Sequence, residues 1–191
     1  MIPNVTRGGK THGVLIYLVG KGKREEHENP HLVAGSPEAC LRWGERRVER
    51  PDPARMGEER ILDRTDAIAI ARFLDEPKHE FGTRVTIAER DKTTGRVIGT
   101  RDAHVWHCSL SLHPQEPELP DERWAEICEA LIEQMRFVGE SAKAQCRWVA
   151  IRHGRSAGGS DHTHIVVTLV AEDGSKANVH TSGHARRKRA G

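Results

Sequence analysis

The chain has few of the features that mark secreted, membrane or disulfide-stabilised proteins. It has four cysteines without any Cys-x-x-Cys spacing, and all lie within apolar patterns: Cys40, Cys108, Cys128 and Cys146. This spacing argues against a zinc ribbon or a disulfide framework. No apolar run approaches the roughly 18 residues of a membrane-spanning helix, and the amino terminus lacks the pattern of a signal peptide. We therefore expect a cytoplasmic protein with no membrane segment.

The chain also lacks a strong excess of either charge, with 30 Lys and Arg against 28 Asp and Glu. Its basic residues are nevertheless clustered, around one tryptophan and after one apolar run. Such clusters predict a local path for DNA, whereas ordinary solvated surface and a tryptophan that seals a loop onto the core are the alternatives. The predicted DNA-binding residues are Arg42, Trp43, Arg46, Arg47, Lys21 and Lys23.

With 191 residues and no internal repeat, the chain is expected to form one domain. The patterns predict strands at 1–7 and 103–112, a hairpin of 85–88 with 96–98, and two final strands near 148–151 and 165–170. Helices are predicted at 12–20, near 37–43, from the cap at Asp63 to a stop at Pro77, and around 124–135. Apart from the short helix near 37–43, the stretch 21–60 is predicted to be loop. This order predicts an α+β fold, an antiparallel sheet with helices packed on one face.

Three histidines near the carboxyl end give the clearest chemical signal. His162 and His164 begin an apolar run typical of a strand, so their side chains share a face. His153 closes the preceding apolar run, and a glycine-rich connection of eight residues could make the two runs neighbouring strands. Three convergent imidazoles suit a divalent metal ion that keeps positions open for substrate or water. A histidine pair on a solvent-facing strand without a metal is the alternative.

Together with segments 1–9, 13–24, 26–35 and 104–112, these histidines resemble the relaxases of the MobP class. These are HUH-type endonucleases that nick single-stranded DNA to start plasmid transfer, and the resemblance is to those of actinobacterial mobile elements. It covers the chain to about Val179 and implies the HUH sandwich fold. It also implies a divalent metal at His153, His162 and His164, with Mg or Mn expected first and Zn, Co or Ni as alternatives.

The same resemblance places Tyr17, the only tyrosine, at the position of the nucleophile. A phenol needs help to lose its proton at neutral pH, from the metal-bound phosphate or from a nearby base such as Asp161. Asp161 could also fix the tautomer of a ligand histidine or simply form a turn. A tyrosine in an apolar run is otherwise often buried core, and His12 is the alternative nucleophile because some relaxases use histidine. His107 could reach the site or DNA, with a structural or surface role favoured.

We expect a relaxase domain at residues 1–179 and a basic tail at 180–191, without the usual carboxy-terminal region of such proteins. The predicted function is site- and strand-specific nicking of single-stranded DNA at a plasmid or integrative-element transfer origin, through a 5′-phosphotyrosine intermediate. Accessory relaxosome proteins and a coupling protein are the partners that the resemblance implies. The alternatives are a rolling-circle replication or transposition initiator, a non-catalytic DNA-binding remnant, and a metal hydrolase of small molecules in which Tyr17 is core.

Overall fold

The computed structural model describes residues 1–20, 29–44, 61–155 and 159–179. Its strands are β1 (Ile2–Gly8), β2 (His31–Gly35), β3 (Thr86–Arg90), β4 (Val97–Asp102), β5 (Val105–Ser111), β6 (Cys146–Arg155) and β7 (Asp161–Ala171). Its helices are α1 (Thr11–Val19), α2 (Pro37–Ala39) with a following π-helical turn (Cys40–Gly44), α3 (Arg64–Phe81) and α4 (Asp121–Gln134). Within these residues, no helix is both long and apolar enough to cross a membrane.

Five strands form one antiparallel sheet in the order β1-β5-β7-β6-β2, and β3 with β4 form a separate two-stranded ribbon. The last strand, β7, lies at the centre of the sheet between β5 and β6, and all of its residues are buried. The predicted α+β class and antiparallel sheet are thus confirmed. The two final strands pair directly, as the glycine-rich connection suggested.

Alternation along β7 divides its side chains between two cores. Ile165, Val167 and Leu169 belong to the cluster that contains α4, whereas Val166 belongs to the cluster that contains α1 and α3. The helices therefore cover both faces of the sheet, which corrects the prediction of helices on one face. The difference arises because β6 and β7 are apolar on both sides, a pattern typical of strands that are buried on both faces.

Helix α3 begins as predicted, with Asp63 and Asp66 in a reciprocal capping box. The predicted stop at Pro77 is wrong, since the helix continues to Phe81 and ends at Gly82 in the left-handed conformation. A proline in a helix leaves the carbonyl four residues earlier without its N–H partner. Here that carbonyl belongs to Phe73, and Arg147 of β6 donates a hydrogen bond to it at 2.8 Å. A residue distant in sequence thus removes much of the cost of Pro77.

Strand β2 lies in the stretch that the sequence predicted as loop. It pairs with β6 at the sheet edge, with a bulge between Leu32 and Ala34, and is short and flanked by prolines. Five residues give too little alternation to identify a strand, and its burial comes from contacts with β6 and α4. Its pairing with β6 completes the edge of the sheet beside the candidate site.

Helix α1 is held to the rest of the fold at its first residue. The hydroxyl of Thr11 donates to Asp75 of α3 at 2.6 Å, and the same carboxylate lies 3.2 Å from His104 Nε2. Burial alone would raise the pKa of Asp75, but the hydrogen bonds from His104 and Thr11 hold it below the usual value. Further along the helix, Leu15 and Leu18 are fully buried in the core between α1, α3 and the sheet.

Candidate metal centre

The three predicted metal ligands meet on one face of the sheet. His153 closes the apolar part of β6, and His162 and His164 lie on β7 with their side chains on the same side. One nitrogen from each imidazole lies within 4.8 Å of the others, and the ring centroids are 4.6 to 5.1 Å apart. All three residues are buried. This convergence is the geometry that a three-histidine metal centre requires.

Hydrogen bonds orient two of these imidazoles. Nδ1 of His162 lies 3.2 Å from the carbonyl oxygen of Ser160, and Nδ1 of His164 lies 2.9 Å from Nε2 of His107. A ring that donates from Nδ1 keeps a lone pair on Nε2, the atom a metal can bind. The carbonyl of Ser160 can only accept, so His162 donates from Nδ1 and presents Nε2 as a ligand. Three uncharged imidazoles form a donor set that fits a divalent transition metal better than Mg²⁺, which prefers oxygen.

The residues around the centre change from apolar to polar along the same face. Val149, Ile151 and Val166 pack beneath α1 and α3. Towards the start of β7 this face carries the three histidines, with Ser109 opposite His164 and Ser111 opposite His162 on β5. The three histidines are therefore anchored in strands whose remaining length is fixed by a packed core, which limits their movement.

Asp161 lies on the other face of the sheet, which corrects its predicted contact with a ligand histidine. Its carboxylate is 2 % exposed and accepts hydrogen bonds from the backbone N–H of Leu119 and from Trp124 Nε1, both at 3.0 Å. Arg152 contacts the other oxygen, with Nη2 at 3.1 Å. The face alternation of β7 makes this outcome unavoidable, because adjacent residues of a strand point in opposite directions. The position argues against Asp161 as the base that activates Tyr17.

The Asp161 carboxylate instead belongs to a buried ionic network between the sheet and α4. Arg152 donates to Asp121 at 2.6 Å as well as to Asp161, and Asp121 accepts from Nε2 of His31 at 2.9 Å. Burial alone would lower the pKa of Arg152, but its bonds to Asp121 and Asp161 raise it above the usual value. The network connects β2, β6, β7 and the start of α4.

The two candidate nucleophiles lie on α1. Tyr17 is 46 % exposed, so the alternative that it is a buried core residue is wrong. His12 is also exposed and borders a groove between α1 and α3, together with Ile16 and Asp75. Because five residues turn an α-helix by about 140° beyond a full turn, His12 and Tyr17 point to different sides of α1. Only one of them can face a given substrate position.

The predicted DNA-binding residues divide into three groups. Trp43 is 6 % exposed and packs against Phe73 with ring centroids 5.8 Å apart, so its predicted stacking on a base is wrong and the alternative, a tryptophan that packs in the core, is confirmed. Arg42 is exposed and pairs with Glu38. The others lie outside the described residues: Lys21, Lys23, Arg46 and Arg47.

The comparisons with known proteins bear on the same part of the chain. The family model described as "Relaxase: MobA/VirD2-like, nuclease domain" matches residues 74–190, which is more than half of the chain. The matched segment contains the three clustered histidines and His107, whereas α1 with Tyr17 precedes it. No curated protein and no solved structure matches the chain.

A double variant tests the metal centre. With His162→Ala and His164→Ala together, the rise in melting temperature on adding Mn²⁺, Co²⁺, Ni²⁺ or Zn²⁺ should disappear, because an ion that binds only the folded state stabilises it by mass action. At about 100 times the dissociation constant this stabilisation is roughly 2.7 kcal/mol for the wild-type chain. Differential scanning fluorimetry over a metal concentration series measures it, and Mg²⁺ should require much higher concentrations.

The matched control replaces two exposed histidines, His79→Ala with His113→Ala, and should keep the full metal-dependent rise. An undiminished rise in the double variant of the strand histidines would show that the ion binds elsewhere.

A second prediction concerns Asp161. The variant Asp161→Ala leaves the N–H groups of Leu119 and Trp124 without their acceptor and removes one partner of Arg152, and should lower the free energy of unfolding by about 3 kcal/mol or more. Urea unfolding with EDTA present measures this loss without a contribution from metal. Glu129→Ala, an exposed change on α4, should cost less than about 0.5 kcal/mol. A loss for Asp161→Ala no larger than that of the control would contradict the structural role.

Proposed function

The chain belongs to the relaxase family described as the MobA/VirD2-like nuclease domain, and we propose that it nicks one DNA strand at the transfer origin of a plasmid or integrative element. The reaction is a metal-dependent transesterification on single-stranded DNA. The observation that carries the proposal is the convergence of His153, His162 and His164, whose nitrogens lie within 4.8 Å of one another inside the matched segment. An arbitrary pair of surface histidines on a strand would not bring a third imidazole into this arrangement.

The three histidines would hold the divalent ion, with Nε2 of His162 as one of the ligand atoms. A divalent cation held there would supply Lewis acidity at the scissile phosphate. Because the three imidazoles are uncharged ligands, they would leave the double positive charge of the ion undiminished. On the same face of the sheet, the apolar core formed with α1 and α3 borders the histidines along β6 and β7. Manganese or another transition metal suits these ligands better than magnesium.

Tyr17 is the proposed nucleophile. Its phenolic oxygen forms a bond to the phosphorus atom as the bond from phosphorus to the 3′-oxygen breaks, the phenol loses its proton, and the departing 3′-oxygen gains one. The product is a 5′-phosphotyrosine and a free 3′-hydroxyl, so the phosphoester is conserved and the reaction can be reversed. The exposure of Tyr17 on α1 supports this role, because a buried phenol could not reach a DNA strand.

We propose that five basic residues contact DNA outside the catalytic centre. Arg42 is an exposed residue of the π-helical turn, and its surface ion pair with Glu38 is weak enough to be exchanged for a phosphate. Lys21, Lys23, Arg46 and Arg47 complete this proposed set. Binding through these residues would weaken steeply with salt, because counterions are released from the phosphates. Accessory relaxosome proteins and a coupling protein are the proposed partners during transfer.

The variant Tyr17→Phe tests the nucleophile. It keeps the ring and removes only the attacking oxygen, so the fold and metal binding should persist while covalent attachment to DNA is lost. The assay incubates the protein and Mn²⁺ with a random-sequence pool of single-stranded oligonucleotides labelled at the 3′ end, because the protein attaches to the 5′ phosphate of the downstream fragment. A labelled adduct that survives denaturing electrophoresis should form with the wild-type chain and not with Tyr17→Phe.

The matched variant is His12→Gln, on the same helix but on a different side. It should form the adduct at near wild-type level, and peptide mapping should place the modification on the only tyrosine. Adduct formation by Tyr17→Phe together with its loss in His12→Gln would reassign the nucleophile to His12.

A further inference from the structure

A fourth imidazole is attached to the three-histidine centre. His107 lies on β5, on the same face as His164 of the neighbouring strand, and Nε2 of His107 is 2.9 Å from Nδ1 of His164. The two ring planes are inclined by only 25°, with centroids 5.1 Å apart, so the rings meet edge to edge through these nitrogens. On its other side, Nδ1 of His107 lies 3.4 Å from the hydroxyl oxygen of Thr6 on β1. The sequence favoured a structural or surface role for this residue.

The chemistry of a neutral imidazole fixes the direction of the hydrogen bond between the two rings. Such a ring has one N–H donor and one acceptor nitrogen. If Nδ1 of His164 accepted from His107, the proton of His164 would be on Nε2, and Nε2 could not bind a metal. If Nδ1 of His164 donates, Nε2 keeps its lone pair and Nε2 of His107 is the acceptor. The proton of His107 then lies on its Nδ1, the atom nearest to the Thr6 hydroxyl.

We infer that His107 is a positioning residue that accepts the Nδ1–H of His164 and so holds His164 in the tautomer that presents Nε2 to the metal. The inference rests on the proposed metal-dependent function. It accounts for the 2.9 Å contact between two ring nitrogens, which requires a single proton between them, whereas a role in core packing would need no such contact.

His107 also limits the rotation of His164. The hydrogen bond between the two nearly coplanar rings restrains the orientation of the His164 imidazole, and that orientation sets the direction of the Nε2 lone pair. The backbone carbonyl of Ser160 orients His162 in the same way. A side-chain substitution cannot remove that carbonyl, whereas a substitution of His107 removes the partner of His164. Loss of a residue that hydrogen-bonds a metal-ligating histidine typically weakens metal binding by about 10- to 100-fold.

The decisive variants are His107→Leu and His107→Gln. Leucine fills a similar volume without an acceptor, whereas the Oε1 atom of glutamine reaches about the position of Nε2 in histidine and can accept the proton of His164. Titration of the metal-free chain with Co²⁺, followed by its visible absorption spectrum and by calorimetry, should show about 10- to 100-fold weaker binding for His107→Leu. His107→Gln should recover most of the affinity, with the cobalt spectrum of the wild-type chain.

Two further variants serve as controls that should keep the Co²⁺ affinity. Thr6→Val removes the outer contact, which is long and exposed, and should change the Co²⁺ affinity by less than about threefold. His79→Gln changes an exposed histidine of α3 and should have no effect. Melting temperatures with EDTA present identify any variant that fails to fold.

NMR of the wild-type chain with nitrogen-labelled histidine shows which ring nitrogen carries the proton, and so tests the same inference without any substitution. In the metal-free protein, His164 should carry its proton on Nδ1 and His107 should carry its proton on Nδ1 as well. A proton on Nε2 of His164 overturns the inference, and so does wild-type Co²⁺ affinity in His107→Leu. Equal loss in His107→Gln and His107→Leu, with an altered cobalt spectrum in both, would make His107 a metal ligand itself.

A failure of the proposed function and a failure of the role of His107 give different results. If the wild-type chain binds no Co²⁺, Mn²⁺ or Zn²⁺, the metal-dependent function fails, and the tautomer measured by NMR still decides the direction of the hydrogen bond. If the wild-type chain binds metal and the His107 variants bind equally well, only the role of His107 fails.

Discussion

The burial of β7 on both faces is the constraint on which the rest of the structure depends. A polar side chain on such a strand has little access to water, so most of them, Thr168 excepted, have a partner within the protein. Asp161 accepts hydrogen bonds from Trp124 and Arg152, the hydroxyl of Thr163 donates to the carbonyl of Ile151, and His164 forms a hydrogen bond with His107. These bonds leave few alternative rotamers. The three-histidine cluster is therefore largely preorganised by the same requirement that stabilises the fold.

The strand also separates two kinds of polar group. On one face it presents imidazoles, and on the other a carboxylate that forms an ion pair with Arg152. Had Asp161 shared the face of the histidines, its negative charge would have offset that of the proposed cation. One strand can thus provide both an ionic anchor for α4 and the proposed cation site, because its side chains alternate.

The sequence was sufficient for features that depend on local spacing. The His-x-His pair, the preceding His153, the capping box at Asp63 and the antiparallel sheet follow from periodicity of two or from cap chemistry. The failures depend on partners distant in the chain. Arg147 is needed to explain why Pro77 does not end α3, Phe73 explains the burial of Trp43, and β2 becomes a strand only beside β6. The predicted contact of Asp161 failed for a local reason, since alternation already excluded it.

The proposed catalytic centre combines two distant parts of the chain, which the core must hold together. The metal ligands lie on the hairpin of β6 and β7, whereas Tyr17 lies on α1 near the amino terminus. Leu15 and Leu18 connect them, because they pack in the same core as Ile151 and Val166 of the two strands. The metal centre needs only the sheet, but the nucleophile needs this packing as well. Loosening the contact of α1 with the sheet would therefore impair strand transfer before it impaired metal binding, since the histidines are fixed by hydrogen bonds and strand pairing that do not involve α1.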